Sequence, residues 1–145
     1  MSQRRIVTLE EANALLPRVR KVVAEQRERR LNIERIVSDL TTLLGEAPDS
    51  FIDREGDADD VRALKRQGAE RVRELQAAWG EIESVGGVIK DPREGLIDFF
   101  GRIDGKVVFL CWRYDEPEIS HFHGLEEGFA GRRPIEGAVR ARLYN

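Results

Sequence analysis

From Leu9 onward the apolar residues of this chain return at intervals of three and four: Leu9, Ala12, Leu16, Val19 and Val23, then Ile33, Val37, Leu40 and Leu44. Leu15, Val22, Ile36 and Leu43 widen the stripe. This is the period of one helix face, sustained for about 36 residues or roughly 54 Å. Thr8, with Glu11 three residues later, has the form of a capping box, in which each side chain satisfies an orphan N–H group of the first turn. Pro17 interrupts the run, so either one helix kinks there or a short helix ends near Leu15 and a second begins with Pro17 in its first turn. The unbroken ladder favours the kink. Residues 45–50 (Gly-Glu-Ala-Pro-Asp-Ser) predict a loop, and a second helix is expected from about Asp59 to Val85, stopped by Gly86-Gly87. Val61, Leu64, Val72, Leu75, Ala78, Trp79 and Ile82 lie on one of its faces. The loop is long enough for antiparallel packing, with Leu44 near Val61 and Val23 near Ile82. Gln26, Arg29 and Arg30 make the middle of the first stripe polar. Two readings stand for them: long side chains lying along Trp79, or a polar layer facing a partner subunit or ligand.

Residues 4–7 read as a short strand before the first helix, and after Gly87 the period becomes two. Val88-Ile89-Lys90 suits a short strand, and Asp91-Pro92 turns the chain. Leu96–Ile103 and Lys106–Arg113 are rich in strand formers and separated by Asp104-Gly105, a strong hairpin signal because both central residues of a type I′ turn need positive φ. That turn fixes the register: Ile103 pairs with Lys106, Phe100 with Phe109, Phe99 with Leu110, Asp98 with Cys111 and Ile97 with Trp112. One face then carries Leu96, Asp98, Phe100, Phe109, Cys111 and Arg113, the other Ile97, Phe99, Val108, Leu110 and Trp112. Both faces are largely apolar, so one is expected under the helices and one under the C-terminal segment. Residues 135–145 suit an edge strand or a tail.

Composition narrows the functional classes. The net charge is −3, with 15 basic and 17 acidic residues in 1–86 and 9 against 10 in 87–145, so no concentrated basic footprint for nucleic acid exists. No apolar run approaches the roughly 20 residues of a membrane span, and no apolar signal core follows the N-terminus. The single cysteine, Cys111, forbids an internal disulfide and suits a reducing, cytoplasmic setting.

The register makes Asp98 conspicuous, because a carboxylate among apolar neighbours must be paired, liganded or protonated. Cys111 lies across from it and Arg113 is a diagonal neighbour. Both histidines, His121 and His123, follow among carboxylates, sharing one face if the backbone is extended. Asp98, Cys111, His123 and Glu127, with His121, Glu118 and Glu126 ranked behind them, offer a mixed sulfur, nitrogen and oxygen shell suited to one zinc or iron ion. Arg113 and Arg132 are candidates for an anion or substrate clamp, Arg132 within the glycine-flanked run 128–134. Plainer readings stand beside these: an Asp98–Arg113 ion pair, Cys111 as a small buried hydrophobe, and histidines that satisfy backbone groups. A Cys111–His123 thiolate pair oriented by Asp98 is the nucleophile alternative.

Thr8-Leu9-Glu10-Glu11-Ala12-Asn13 with Leu16-Pro17, Gly95-Leu96-Ile97-Asp98-Phe99, Leu110-Cys111-Trp112, Glu116-Pro117, His123 and Gly128-Phe129-Ala130-Gly131-Arg132 together resemble a bacterial family of uncharacterised proteins, domain of unknown function 2203. The likeness runs from Thr8 to about Pro134 and implies a shared architecture and site without naming a reaction. Two positions depart from the family pattern. Phe100 stands where a proline commonly follows the Asp-Phe pair, and His121 stands where an aromatic is usual. His123 therefore matches the motif and His121 does not.

The sequence thus predicts an α+β fold in which a long antiparallel helical hairpin packs on a small antiparallel sheet with an irregular C-terminal segment. It reads as one domain, 1–145, with the hairpin over 9–85 and the β-hairpin unit and C-terminal wrap over 87–134. Two functional expectations follow: metal binding, with or without metal-dependent catalysis, through the Cys/His/carboxylate cluster, or a non-enzymatic interaction module whose helical hairpin associates with itself, as a homodimer, or with another protein.

Overall fold

A computed structural model describes residues 5–140, 142 and 143. Helix α1 (Leu9–Leu44) is continuous, with Pro17 inside it, so the chain makes one long helix rather than two. The capping box forms: Thr8 Oγ1 accepts from the Glu11 N–H and Glu11 Oε1 accepts from the Thr8 N–H, both at 3.0 Å. Helix α2 (Asp59–Ser84) completes the hairpin and gives way to Gly86 at φ 96°. Among the described residues no helix is long and apolar enough to cross a membrane.

Five strands follow as an antiparallel meander: β1 (Gly87–Asp91), β2 (Leu96–Ile103), β3 (Lys106–Arg113), β4 (His121–His123) and β5 (Arg133–Pro134). The architecture is α+β. Asp104 (φ 51°) and Gly105 (φ 78°) supply the positive φ pair, and every expected β2–β3 pairing forms. Of the N-terminal strand expected over 4–7, residue 4 lies outside the described residues; Ile6 makes one parallel bridge to Phe100, and the Val7 N–H donates to Phe100 O at 2.8 Å. Past β5 comes the short helix α3 (Gly137–Arg140), where an edge strand or tail was expected. Leu143 bridges to Ile103, and residues 141, 144 and 145 lie outside the described residues.

The chain divides into two compact units. Residues 24–79, the distal part of the hairpin, hold a cluster of Ile36, Leu40 and Val61 closed by Phe51 and Leu64. Leu40, not Leu44, joins Val61; Leu44 is exposed. The polar layer is internal: Gln26 is buried, its Nε2 donates to Leu75 O at 2.7 Å, and its Oε1 accepts from Arg29 at 2.7 Å. A hydrogen bond to a backbone carbonyl is how a helix interior tolerates an amide. Lys65 is likewise buried, donating to Asp57 at 2.7 Å and Ile52 O at 3.1 Å.

The other unit joins the first turns of α1, up to Val23, to everything from Gly80 onward. Ile97, Phe99, Leu110 and Trp112, all at 0% exposure, form one sheet face and share the core with Leu16, Val19, Val23 and Ile82. Long-range polar contacts fix this layer: Asn13 Oδ1 accepts from the Ile119 N–H at 2.7 Å, and Arg20 lies over the Trp112 ring while donating to Glu116 O and Pro117 O. With that face sealed by helix, the opposite face of the same strands is left to the segment after β4.

Candidate metal centre

Two rows of side chains cross that second face. Asp98 lies opposite Cys111, and Cys111 opposite His121; Phe100 lies opposite Phe109, and Phe109 opposite His123. The histidines share the face, as alternation requires. The one directly across from Cys111 does not enter the site: His121 Nδ1 turns to Ser120 Oγ (3.0 Å) and toward Glu116 Oε2 (3.7 Å). His123 reaches diagonally over β3 instead. Its Nε2 stands 2.9 Å from Asp98 Oδ2, and its ring packs on Phe109 at 5.3 Å between centroids. Asp98, Cys111 and His123 are all at least 98% buried, and one ligand atom from each lies within 4.8 Å of the others.

The hydrogen bonding inside this cluster is incomplete in a specific way. The His123 Nδ1–H donates to Gly124 O at 2.9 Å, since a carbonyl only accepts. The remaining contact, Nε2 to Asp98 Oδ2, joins a ring lone pair to a carboxylate oxygen and closes only with one proton between them. Asp98 Oδ1 is sealed from solvent and accepts no hydrogen bond. Burial pushes the Asp98 carboxyl up, opposed first by the His123 charge, then by the weak Cys111 thiol donor, the His123 hydrogen bond and the Lys90 charge. The Cys111 thiol is pushed up to about 12, first by burial and then by the neighbouring Asp98 charge, with Arg132 acting in the opposite sense.

These contacts do not form the relay that the nucleophile alternative calls for. In a Cys–His–Asp relay the imidazole stands between thiol and carboxylate. Here His123 Nε2 contacts Asp98 Oδ2 and Nδ1 bonds Gly124 O, so both ring nitrogens are engaged with partners other than the thiol. The thiol has no base, and a carboxylate beside it opposes ionisation.

The other candidates take different places. Glu127 Oε1 accepts from the Gly124 N–H (2.7 Å) and from Arg133 (2.9 Å), fastening the loop that holds the His123 carbonyl partner; its side chain lines the pocket over the cluster. Glu118 and Glu126 are exposed and outside the cluster. Arg113 pairs with Asp115 through two bonds at 2.6 and 2.8 Å, so the expected Asp98–Arg113 ion pair does not form. Arg132 bonds Glu116 Oε1 at 2.8 Å and stacks on Phe129 at 4.0 Å. Sequence reasoning missed Glu116. Its carboxylate also accepts from the Arg113 N–H and its carbonyl from Trp112 Nε1, so it ties the β3–β4 connection together. The Glu116-Pro117 dipeptide was the available signal.

A pocket of about 90 Å3 opens above the cluster, lined by Lys90, Leu96, Asp98, Cys111, His123, Glu127, Gly128 and Phe129. A family model described as "Uncharacterized conserved protein (DUF2203)" matches residues 5–135. The chain belongs to that family. The matched span contains every residue of the cluster and its pocket, and the DUF2203 assignment carries no activity with it. No curated protein and no solved structure matches the chain.

Proposed function

We propose that this DUF2203 protein binds one transition-metal ion, of the zinc or iron class, through Asp98 Oδ, Cys111 Sγ and His123 Nε2. The observation that supports it most is the pairing of convergence with an unmet need: three buried ligand atoms within 4.8 Å of each other, and a buried Asp98 oxygen with no donor. Native interiors rarely leave a buried carboxylate oxygen unsatisfied, and a cation supplies what is missing. The His123 Nδ1–H bond to Gly124 O is the outer contact that metal-bound histidines usually make, fixing the tautomer that presents Nε2. Ligand atoms around a tetrahedral ion stand about 3.3–3.8 Å apart, so closure asks for side-chain shifts of about 1 Å. The ion replaces the proton shared by His123 and Asp98 and stabilises the thiolate that burial otherwise disfavours. Three protein ligands beside a pocket leave a position open, the arrangement of a reactive rather than a purely structural site. Elemental analysis of purified protein tests this. Near-stoichiometric zinc or iron, lost in Cys111→Ala and His123→Ala, is expected; less than about a tenth of an equivalent, unchanged by either substitution, overturns it.

The exposed apolar residues Leu31, Leu43, Leu44 and Ile52 of the 24–79 unit favour a second, compatible reading, self-association through the helical hairpin. A monomer by light scattering over a wide concentration range refutes it.

A further inference from the structure

We infer that the open position of this centre takes a small anion, a carboxylate or comparable oxyanion, whose charge is met by Lys90. The inference rests on the metal reading above and concerns what the ion binds beyond the protein. Lys90 comes from the edge strand β1, beside an irregularity in its pairing. The β1–β2 register shifts between Ile89 and Asp91, so Lys90 is the extra residue of a bulge and opposes nothing on β2. Bulges recur beside functional sites. Alternation from Val88, which pairs with Asp98, sets Lys90 on the cluster's face, and its Nζ stands 4.1 Å from the centroid of the Phe109 ring. Phe109 is also the platform of His123, so the ammonium and the proposed ion share one support.

Among the described residues Lys90 makes no ion pair, although it lines the pocket with Asp98 and Glu127. Glu127 is not its counter-charge, because that carboxylate is held by Gly124 N–H and Arg133. Counting charge then points to an anion. A divalent ion with the Asp98 carboxylate, the Cys111 thiolate and a neutral His123 is electrically balanced. Lys90 leaves the pocket one positive charge in excess, next to a Lewis acid with a vacant position. A monoanion satisfies both with one molecule: one oxygen on the metal, the rest of the charge toward Nζ. The pocket's other walls, Leu96, Gly128 and Phe129, offer apolar and backbone surface, and about 90 Å3 admits only a small group. Phe129 itself is clamped by Arg132, so that wall is held in place.

The test uses cobalt(II)-loaded full-length protein and sodium acetate as the probe, read by visible absorption. A thiolate-to-cobalt band that disappears in Cys111→Ser reports the metal site itself. Acetate is expected to shift the cobalt d–d bands saturably, with affinity about tenfold lower in Lys90→Met, restored in part by Lys90→Arg. Lys90 is exposed on a strand rim, so both variants should fold, checked by circular dichroism and an unchanged thiolate band. A cobalt band that acetate leaves unmoved, or an acetate affinity equal in wild type and Lys90→Met, overturns the anion inference while the metal reading stands. Absence of any thiolate–cobalt band brings down both.

Discussion

The cluster can be asked, without any ligand, whether it exists for stability or for function. Asp98 and His123 have side chains 1% and 2% exposed and contact each other at 2.9 Å. If the pair were a structural lock, removing the charge of Asp98 should weaken the protein. The geometry argues otherwise. In Asp98→Asn the amide keeps the shape of the carboxylate, and its N–H can donate to the His123 Nε2 lone pair without any shared proton. The oxygen left without a donor becomes a neutral carbonyl, far cheaper to bury than a charged one. Replacing a buried ion pair by neutral groups of equal volume is commonly neutral or stabilising. Metal-free Asp98→Asn is therefore expected to be as stable as wild type or up to about 2 kcal/mol more stable. His123→Ala is the contrast: it strands the carboxylate and leaves a void beside Phe109, which should cost about 3–5 kcal/mol. Urea unfolding with a chelator present, followed by circular dichroism, measures both. Metal affinity should move in the other direction, falling at least about a hundredfold in Asp98→Asn because an amide is a poor ligand. A metal-free Asp98→Asn weaker than wild type by about 2 kcal/mol or more would show that the carboxylate is kept for the fold, and would refute the reasoning.

Three further outcomes follow from particular contacts. The Cys111 thiol, pushed up to about 12, holds only about one part in 10⁴ as thiolate at pH 8, so native metal-free protein should react with iodoacetamide no faster than it unfolds; rapid stoichiometric labelling contradicts this. Lys65 and the Arg54 N–H hold the Asp57 carboxyl below its usual range, so that group's stabilisation is complete above the unfolded value near 4 and is lost as pH falls through the folded one. Wild type should then exceed Asp57→Asn in stability at pH 7, with the gap closing in acid; a gap constant with pH is the failing result. A Cβ on Gly87 would stand 2.5 Å from Ile82 Cγ2 and 3.1 Å from Ile82 O, so Gly87→Ala should destabilise by about 1–3 kcal/mol in thermal or urea unfolding, and a neutral result contradicts the packing.

What the sequence made legible depended on how tightly local chemistry constrains geometry. Asp104-Gly105 determines a turn, the turn determines a register, and the register places Asp98 against Cys111 with no tertiary knowledge. Thr8 and Glu11 fix a helix start in the same local way. Pro17 was decided by context: exposed and flanked by buried Leu16 and Val19, it stays in the helix because the apolar ladder anchors both sides of the missing N–H. Leu43 and Leu44 show the opposite limit, since periodicity marks a face but cannot say where the partner helix ends.

The site followed the same rule and stopped where it stops. Between Arg113 and His121 a turn closed by the Glu116 N–H on Arg113 O is followed by further irregular chain, so no two-residue loop sets the register of β4. The simplest expectation for a ligand pair is the residue directly opposite, and His121 is the one opposite Cys111. The histidine that matters is two residues on, because an imidazole reaching from beside Phe109 crosses β3 on the diagonal to Asp98, while Glu116 and Ser120 draw His121 aside. The family pattern, not geometry, pointed to His123 in the sequence. Lys90 was hidden for a related reason: alternation sets it on the Asp98 face beside Val88, but nothing local says that its ammonium comes to rest over Phe109. Both residues lie on the cluster's face by ordinary alternation and come to the site by the reach of a long side chain, which register alone does not set. In this fold the register of the sheet builds the floor of the pocket, and side chains reaching over it from β1 and β4 give the floor its chemistry.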